Sequence, residues 1–268
     1  MDSVQVYRCM DIGSAKASRA ERDVLPHHVV DVVDPDERFS TAEWLAHAEA
    51  AIATVEARGR IPLLVGGAGL YLRALTDGLA KLPSADDAMR RQLESEERAQ
   101  PGSLHARLID LDPVSASRIQ PRDRVRVVRA LEIHALTGRP LSSWLAEHAS
   151  HRPHRAMSTV VLDPPRAQHD VALRGRAEMM LEAGLVEEAR TVRARFGNVR
   201  PLGAVGYKEA IAFLDGELTE GALVERIVQA TRQFARRQRT WWNKAPSPQV
   251  VGTPTQAVEA LLELTVKR

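Results

Sequence analysis

The chain is short of several things, and each shortage narrows what it can be. One cysteine, Cys9, stands alone among 268 residues. That excludes an intramolecular disulfide framework and a cysteine-based zinc site, and it suits a reduced compartment. No apolar run is long enough to span a bilayer. The N-terminus lacks the basic head, apolar middle and small-residue cleavage site of a secretory signal, so no membrane is implied and a cytoplasmic protein is expected. Charge imbalance is missing too: 37 Lys+Arg against 35 Asp+Glu leave +2, so a case for nucleic acid must come from distribution. A phosphate-loop motif is also missing. Gly13-Ser14-Ala15-Lys16 and Gly203-Ala204-Val205-Gly206-Tyr207-Lys208 come nearest, but neither has the full glycine spacing followed by Lys and Ser/Thr.

What is present suffices for one large domain or two, with 44% hydrophobic residues. His28-Val29-Val30-Asp31-Val32-Val33-Asp34, stopped by Pro35, reads as a buried strand or sheet edge, with Asp31 and Asp34 toward loops. Ser40-Thr41-Ala42-Glu43 is a capping box opening an amphipathic helix that ends at Gly59. Residues 61–65 read as a short apolar strand, turned by Gly66-Gly67-Ala68-Gly69 into a helix through Leu70 and Leu75. A run of short helices follows, over 86–99, 104–111, 114–119, 123–136 and 141–148, punctuated by Pro101-Gly102, Asp112-Pro113, Pro121 and Gly138-Arg139-Pro140. Residues 158–163 read as a returning strand. Pro246-Ser247-Pro248 separates a long basic helix starting near Thr219 from a last strand at 249–251 and a last helix from Thr255.

Three features suggest chemistry. Asp2 and Ser3 sit where a loop leaves the end of a strand, which is where open α/β sheets place their sites; a carboxylate there can be a base, a metal ligand or a cap. Arg122, Arg126 and Arg129 recur at helical spacing opposite Val125 and Val128, and so do Arg232, Arg236 and Arg239. Like charges at that spacing repel, so an anionic partner would explain them, as would a solvated face with acids such as Asp123 and Glu132. Trp241 and Trp242 could stack on bases, though paired tryptophans at a helix end more often cap a core.

The run Asp2-Ser3-x-Gln5-x-Tyr7-x-x-Met10-Asp11-Ile12-Gly13-x-Ala15-Lys16 resembles the signature of tRNA dimethylallyltransferases, enzymes that prenylate the adenosine beside the anticodon. Further blocks match in order: Gly59 to Gly67 with Leu70-Tyr71, Leu82-Pro83-Ser84-Ala85-Asp86, Arg129-Ala130-Leu131-Glu132 with Thr137-Gly138, Val205-Gly206-Tyr207-Lys208, and Ala230-Thr231-Arg232-Gln233 with Arg237-Gln238-x-Thr240-Trp241. Two departures accompany them. The family carries a phosphate loop and its strand ahead of the Asp-Ser motif, and this chain begins after that point, so Met1 is expected not to be the biological start. Ala68 replaces a threonine or serine that gives the family's site a hydroxyl, and an alanine side chain cannot donate a hydrogen bond.

The resemblance implies an α/β fold, a parallel sheet of the phosphate-loop, nucleotide-binding type (first strand and loop missing), over residues 1–81 and 157–268. An all-helical tRNA-binding insertion is implied over 82–156. It also implies transfer of a dimethylallyl group from dimethylallyl diphosphate to the exocyclic amine of that adenosine, with Mg²⁺ as cofactor, the tRNA anticodon stem-loop as partner and a monomer as the working form. By position, Asp2 is the catalytic base and Ala68 stands at the other catalytic position. Asp2, Ser3, Val4 and Gln5 would meet tRNA. So would Arg90, then Val125, Arg126, Val127, Val128 and Arg129, and finally Gly203, Ala204, Val205, Gly206, Tyr207 and Lys208. Arg176 would meet the diphosphate, where a planar guanidinium suits phosphate oxygens. Two alternatives stand beside this: an impaired paralogue that only binds RNA, and a small-molecule phosphotransferase.

Overall fold

The computed structural model describes residues 1–151, 155–242 and 248–266. Pro246 and Ser247, expected to break the chain before the last strand, lie outside them. The chain divides into two compact units, residues 1–76 with 156–268, and residues 77–155.

The helical unit is built from local signals. Asp86 caps α4 (Asp87–Ala99) by accepting from the Met89 amide, and Asp112 caps α6 (Pro113–Ala116) through Ser115. Between them lies α5 (Ser103–Leu111), entered through Gly102 in a left-handed conformation (φ 91°) that a residue with a Cβ would resist. Asp123 caps α7 (Arg124–Thr137), and α8 (Leu141–His151) follows Pro140. Leu93, Leu104, Leu108, Val127, Val128 and Leu131 fill one core. Because Val125 is 78% exposed, the packing face of α7 carries Val127, Val128 and Leu131 instead of the expected Val125 and Val128.

Three buried carboxylates tie these helices together. Glu97 on α4 accepts from the Gly102 and Leu104 amides at 2.9 and 3.2 Å, so it caps α5 from a neighbouring helix. Asp112 accepts from Ser115 at 3.0 Å and, across to α8, from Ser142 at 2.9 Å. Glu132 on α7 is fully buried and takes both ends of the Arg90 guanidinium at 2.8 and 2.9 Å, Arg129 at 2.5 Å and the Asp86 amide at 2.7 Å. Glu97 is held below the usual carboxylate range chiefly by the Gly102 amide. Burial works against ionisation of Asp112 and Glu132, and their hydrogen bonds outweigh it, so both are also held low.

The larger unit is also mostly helical. Its helices are α1 (Arg19–Val24), α2 (Thr41–Ala57), α3 (Gly69–Asp77), α9 (Arg166–Glu182), α10 (Leu185–Phe196), α11 (Tyr207–Leu214), α12 (Glu220–Trp242) and α13 (Pro254–Val266). A Ser18–Glu21 capping box starts α1, which the sequence reading passed over, and the Ser40–Glu43 box starts α2 as expected. Strands β1 (Val160–Leu162) and β2 (Gln249–Val251) pair in parallel with Val161 opposite Val250. That agrees with both expected strands, the first somewhat shorter than 158–163 and the second as expected. The core gathers Val6, Met10, Trp44, Ile52, Leu185, Val192, Tyr207 and Ile227 around the N-terminal segment.

Two expected strands are not formed. Residues 28–34 contribute only an isolated parallel bridge, Val33 to Tyr7, and Val29 and Asp31 adopt left-handed backbone (φ 59° and 55°) that breaks the pleat. Residues 61–65 are not strand, with Ile61, Leu63 and Val65 51%, 60% and 70% exposed. A strand of a parallel sheet needs ladder partners. Among the described residues the inter-segment backbone bonds here are from Met1 to the Val65 carbonyl and from Ala68 to the Met1 carbonyl.

Glu132→Ala would leave two guanidinium groups without their buried partner. We expect the helical unit to lose about 3–5 kcal/mol, read from amide protection of α4 and α7 in denaturant. The three depressed carboxylates contribute stability that is complete above their ordinary values of 3.8 and 4.5 and is lost as pH falls through the lower folded values. Amide protection in α4 to α8, taken relative to intrinsic exchange, should therefore fall on acidification below that range, and by less in Glu132→Ala, which keeps Glu97 and Asp112.

Candidate functional site

The N-terminal segment folds back on itself through its own polar side chains. Asp2 Oδ1 accepts from the Val4 amide at 2.7 Å and the Gln5 amide at 3.1 Å, a tight turn that leaves Oδ2 without a hydrogen bond among the described residues. Gln5 Nε2 donates to the Ser14 and Ala15 carbonyls at 3.0 and 3.1 Å. The Gln5 side chain, expected at tRNA, is thus engaged in holding the loop. Ser3 is exposed and Val4 half-buried.

Lys16 secures the same segment from beneath. Its side chain is 1% exposed, and Nζ reaches the Tyr7 carbonyl at 2.8 Å and the carboxylates of Asp11 and Asp31 at 2.6 Å each. Arg22 takes the other Asp31 oxygen at 2.6 Å. Asp31, expected in a loop, therefore anchors an ion network. Burial opposes its ionisation, and its bonds to Lys16 and Arg22 prevail, so its carboxyl stays below the usual range. On the other side, the amides of Asp11, Ile12 and Gly13 all donate to Glu188, in the first turn of α10, at 2.9 to 3.1 Å. The hydroxyl of the fully buried Tyr207 donates to the same carboxylate at 2.5 Å.

The glycine turn at 66–69 meets this segment directly. A Cβ on Gly66 would lie 2.1 Å from the Met1 carbonyl oxygen, and one on Gly67 would lie 1.7 Å from Gln238 Nε2. Neither space exists, so the glycines serve close approach. Gln238 Nε2 donates to the Gly67 carbonyl at 3.4 Å, and the Trp241 ring lies against Gly69, so α12 walls the turn. Ala68 donates its amide to the Met1 carbonyl at 3.4 Å and immediately precedes α3, whose Leu72 amide donates to its carbonyl. Below the turn, Tyr71 stacks on Trp44 with ring centroids 4.2 Å apart. Burial raises the Tyr71 phenol to about 12, with Tyr7 and Asp2 adding to the effect and Arg200 opposing it. The structure thus brings Asp2, Ala68 and the glycine turn into one place.

The other expected site residues are distributed differently. Arg176 lies exposed on α9 with no ion pair among the described residues. Of the loop at 203–208, Gly203 and Lys208 are exposed, Ala204 and Val205 half-buried, and Gly206 and Tyr207 buried, so the Tyr207 side chain is not at the surface. In the helical unit Val125 and Arg126 are exposed, Val127 and Val128 are 2% and 5% exposed and belong to the core, and Arg90 and Arg129 are paired with Glu132. Sequence reading missed Glu188. An acid in a helix's first turn is ordinary complementation of the helix dipole, so nothing in its sequence surroundings marks Glu188 as the acceptor for a distant loop.

No set of three or more His, Cys, Asp or Glu side chains that could hold a metal ion occurs among the described residues. The described residues therefore form no protein cage for the expected Mg²⁺.

Comparison with known proteins follows these features closely. The chain is 43% identical over 264 residues to a tRNA dimethylallyltransferase of Ralstonia nicotianae, covering 94% of this chain and 81% of that protein. It is 44% identical over 270 residues to one of Anaeromyxobacter dehalogenans, covering 100% and 89%. Among solved structures, the full-length tRNA isopentenylpyrophosphate transferase of Bacillus halodurans superposes with a TM-score of 0.68 at 33% identity, over 99% of this chain and 86% of that one. A eukaryotic dimethylallyltransferase acting on tRNA superposes with a TM-score of 0.75 at 29% identity, over 90% of this chain and 61% of that one. A family model described as IPP transferase matches residues 5–245, and with this the chain belongs to the IPP transferase family.

Proposed function

We propose that this chain is a tRNA dimethylallyltransferase, moving a dimethylallyl group from dimethylallyl diphosphate to the exocyclic amine of the adenosine 3′ to the anticodon. The observation that carries the reading is the Asp2 turn. One carboxylate oxygen is fixed by two amides and the other carries no hydrogen bond among the described residues, and the whole lies against the glycine turn at Ala68.

An adenine amine is a weak nucleophile because its lone pair is delocalised into the ring. As nitrogen bonds to the first carbon of the dimethylallyl group, the carbon–oxygen bond to diphosphate breaks and a proton must leave nitrogen. Asp2 Oδ2 is the acceptor, while the Val4 and Gln5 amides hold Oδ1 and with it the carboxylate plane. Arg176 supplies a fork for the departing diphosphate. The adenosine leaves the anticodon-loop stack to reach Asp2, as bases commonly do for enzymes that modify them. Arg126, Lys208 and the free arginines of α12 offer charge to the stem-loop backbone. Mg²⁺ would travel with the diphosphate, as this ion usually does with phosphate substrates, and would neutralise part of its charge. The parallel sheet of phosphate-loop type, a cytoplasmic location, where tRNA is found, and a monomeric working form belong to the same reading.

Ala68 leaves the glycine turn with amides but no hydroxyl. Where such a donor acts on developing charge, its loss costs about 100-fold to 1,000-fold in rate.

Asp2→Asn keeps an oxygen for the Val4 and Gln5 amides but removes the base. Transfer of labelled dimethylallyl to an anticodon stem-loop should fall about 100-fold or more with the circular dichroism unchanged, whereas equal transfer by both proteins would remove Asp2 from the chemistry. Ala68→Thr should raise the transfer rate by about 100-fold. It should also stabilise the protein by about 1 kcal/mol, because a threonine before α3 can cap it. A chain that retains the stem-loop in a filter assay yet transfers nothing, with or without threonine at position 68, would be a binder only.

A further inference from the structure

We infer that Glu188 is a positioning residue for Asp2, acting through a carboxylate clamp on the turn at residues 11–13. Three consecutive amides aimed at one point form an anion-binding concavity. Here its occupant is a side chain of the same protein, brought from 175 residues or more along the chain: Glu188 accepts from Asp11, Ile12 and Gly13 at 2.9 to 3.1 Å. These amides have no strand or helix to satisfy them, since residues 11–13 lie in neither. Losing the carboxylate would leave them without that acceptor.

The clamp reaches Asp2 through a continuous set of bonds. The turn that Glu188 holds presents the Ser14 and Ala15 carbonyls to Gln5 Nε2, and the Gln5 amide in turn donates to Asp2 Oδ1. Lys16 closes the other side by joining Asp11 to the Tyr7 carbonyl. Tyr207 fixes the clamp itself. Its hydroxyl donates to Glu188 at 2.5 Å, and a Cβ on Gly13 would stand 2.5 Å from its ring, so only glycine lets the turn seat there. Tyr207 starts α11 and belongs to the segment 203–208 expected to meet tRNA. The loop proposed to bind RNA and the segment carrying the base therefore share one buried anchor.

This inference rests on the reading of Asp2 as the base, and amide exchange tests it apart from that reading. In the full chain, Glu188→Ala should accelerate exchange at residues 11–13 and also at Val4 and Gln5, whose amides report the Asp2 turn, while α2 and α12 stay protected. With dimethylallyl diphosphate and an anticodon stem-loop, kcat should fall about 100-fold with KM for the RNA nearly unchanged, because a displacement of about 1 Å at a reacting group costs that much. Glu188→Gln keeps one acceptor oxygen where the carboxylate uses both, so it should recover part of both effects; Tyr207→Phe should reproduce part of them. The inference is overturned if exchange at Val4 and Gln5 is unchanged in Glu188→Ala, if the loss appears in KM instead of kcat, or if glutamine rescues nothing. Should the parent chain transfer no prenyl group, the base reading fails on its own, and exchange at Val4 and Gln5 still decides whether Glu188 sets the Asp2 turn.

Discussion

The N-terminal segment is held by polar side chains, because it has almost no backbone ladder of its own. Residues 2–16 form one isolated bridge, Tyr7 to Val33, with backbone bonds between residues 5–8 and 31–33, and otherwise lie in no strand or helix. Buried backbone N–H and C=O groups must be satisfied somewhere. Glu188, Gln5 and Lys16 do this from three directions, and each is bonded to more than one main-chain or carboxylate group. Hydrophobic burial supplies the platform, with Val6 and Met10 fully buried and Tyr7 nearly so, but burial is non-directional and could not by itself aim a carboxylate. Hydrogen bonds give the segment its shape, and the core gives it a place to stand.

Both units use charge in the same way. A buried acid that collects several donors is costly to place and rigid once placed, because removing any partner leaves an uncompensated group. Glu132, fully buried in the helical unit, and Glu188, half-buried in the larger one, each accept from side-chain and main-chain donors at once. The consequence for nucleic-acid binding is direct. Arg90 and Arg129 stand out as basic residues in the sequence, yet each spends hydrogen bonds on Glu132, and what faces solvent is their remaining edge, 34% and 26% of the side chain.

Helices were legible in the sequence because their signals are local. Capping residues, Pro-Gly breaks and apolar spacing place α4 to α8 within a few residues, and the Ser40–Glu43 capping box starts α2 where it stands. Strands were not equally legible, since apolar runs report burial and pairing is a property of distant neighbours. Residues 158–163 find a parallel partner in Gln249–Val251 and become β1, whereas Ile61, Leu63 and Val65 remain largely exposed and irregular. At the site, the motif around Asp2 announced itself, but Glu188 could not, because its role is defined by a loop more than 170 residues away. Nor could the direction of Val125, since β-branched residues at 125, 127 and 128 satisfy two helical faces equally well until packing selects one.

The long basic helix shows why a stripe of arginines and a site need not coincide. On a helix of 3.6 residues per turn, Gln238 and Trp241 are neighbours three positions apart, and both lie against the glycine turn. Arg232, Arg236 and Arg239 fall roughly 100° to 160° around the axis from Gln238, on another face. Two of them hold the helix in place: Arg232 bonds Asp170 on α9 at 2.8 Å, and Arg239 bonds Asp163, just past β1, at 2.7 Å. Exposed pairs of this kind add little energy, yet two of them set the rotation of α12 about its axis and so decide which residues it presents to residues 66–69. Arg236 and Arg237 are left without ion pairs among the described residues, with Arg237 lying over the Phe234 ring. The stripe thus divides by function: its ends orient the helix that walls the site, and only its middle keeps charge available for a phosphate backbone.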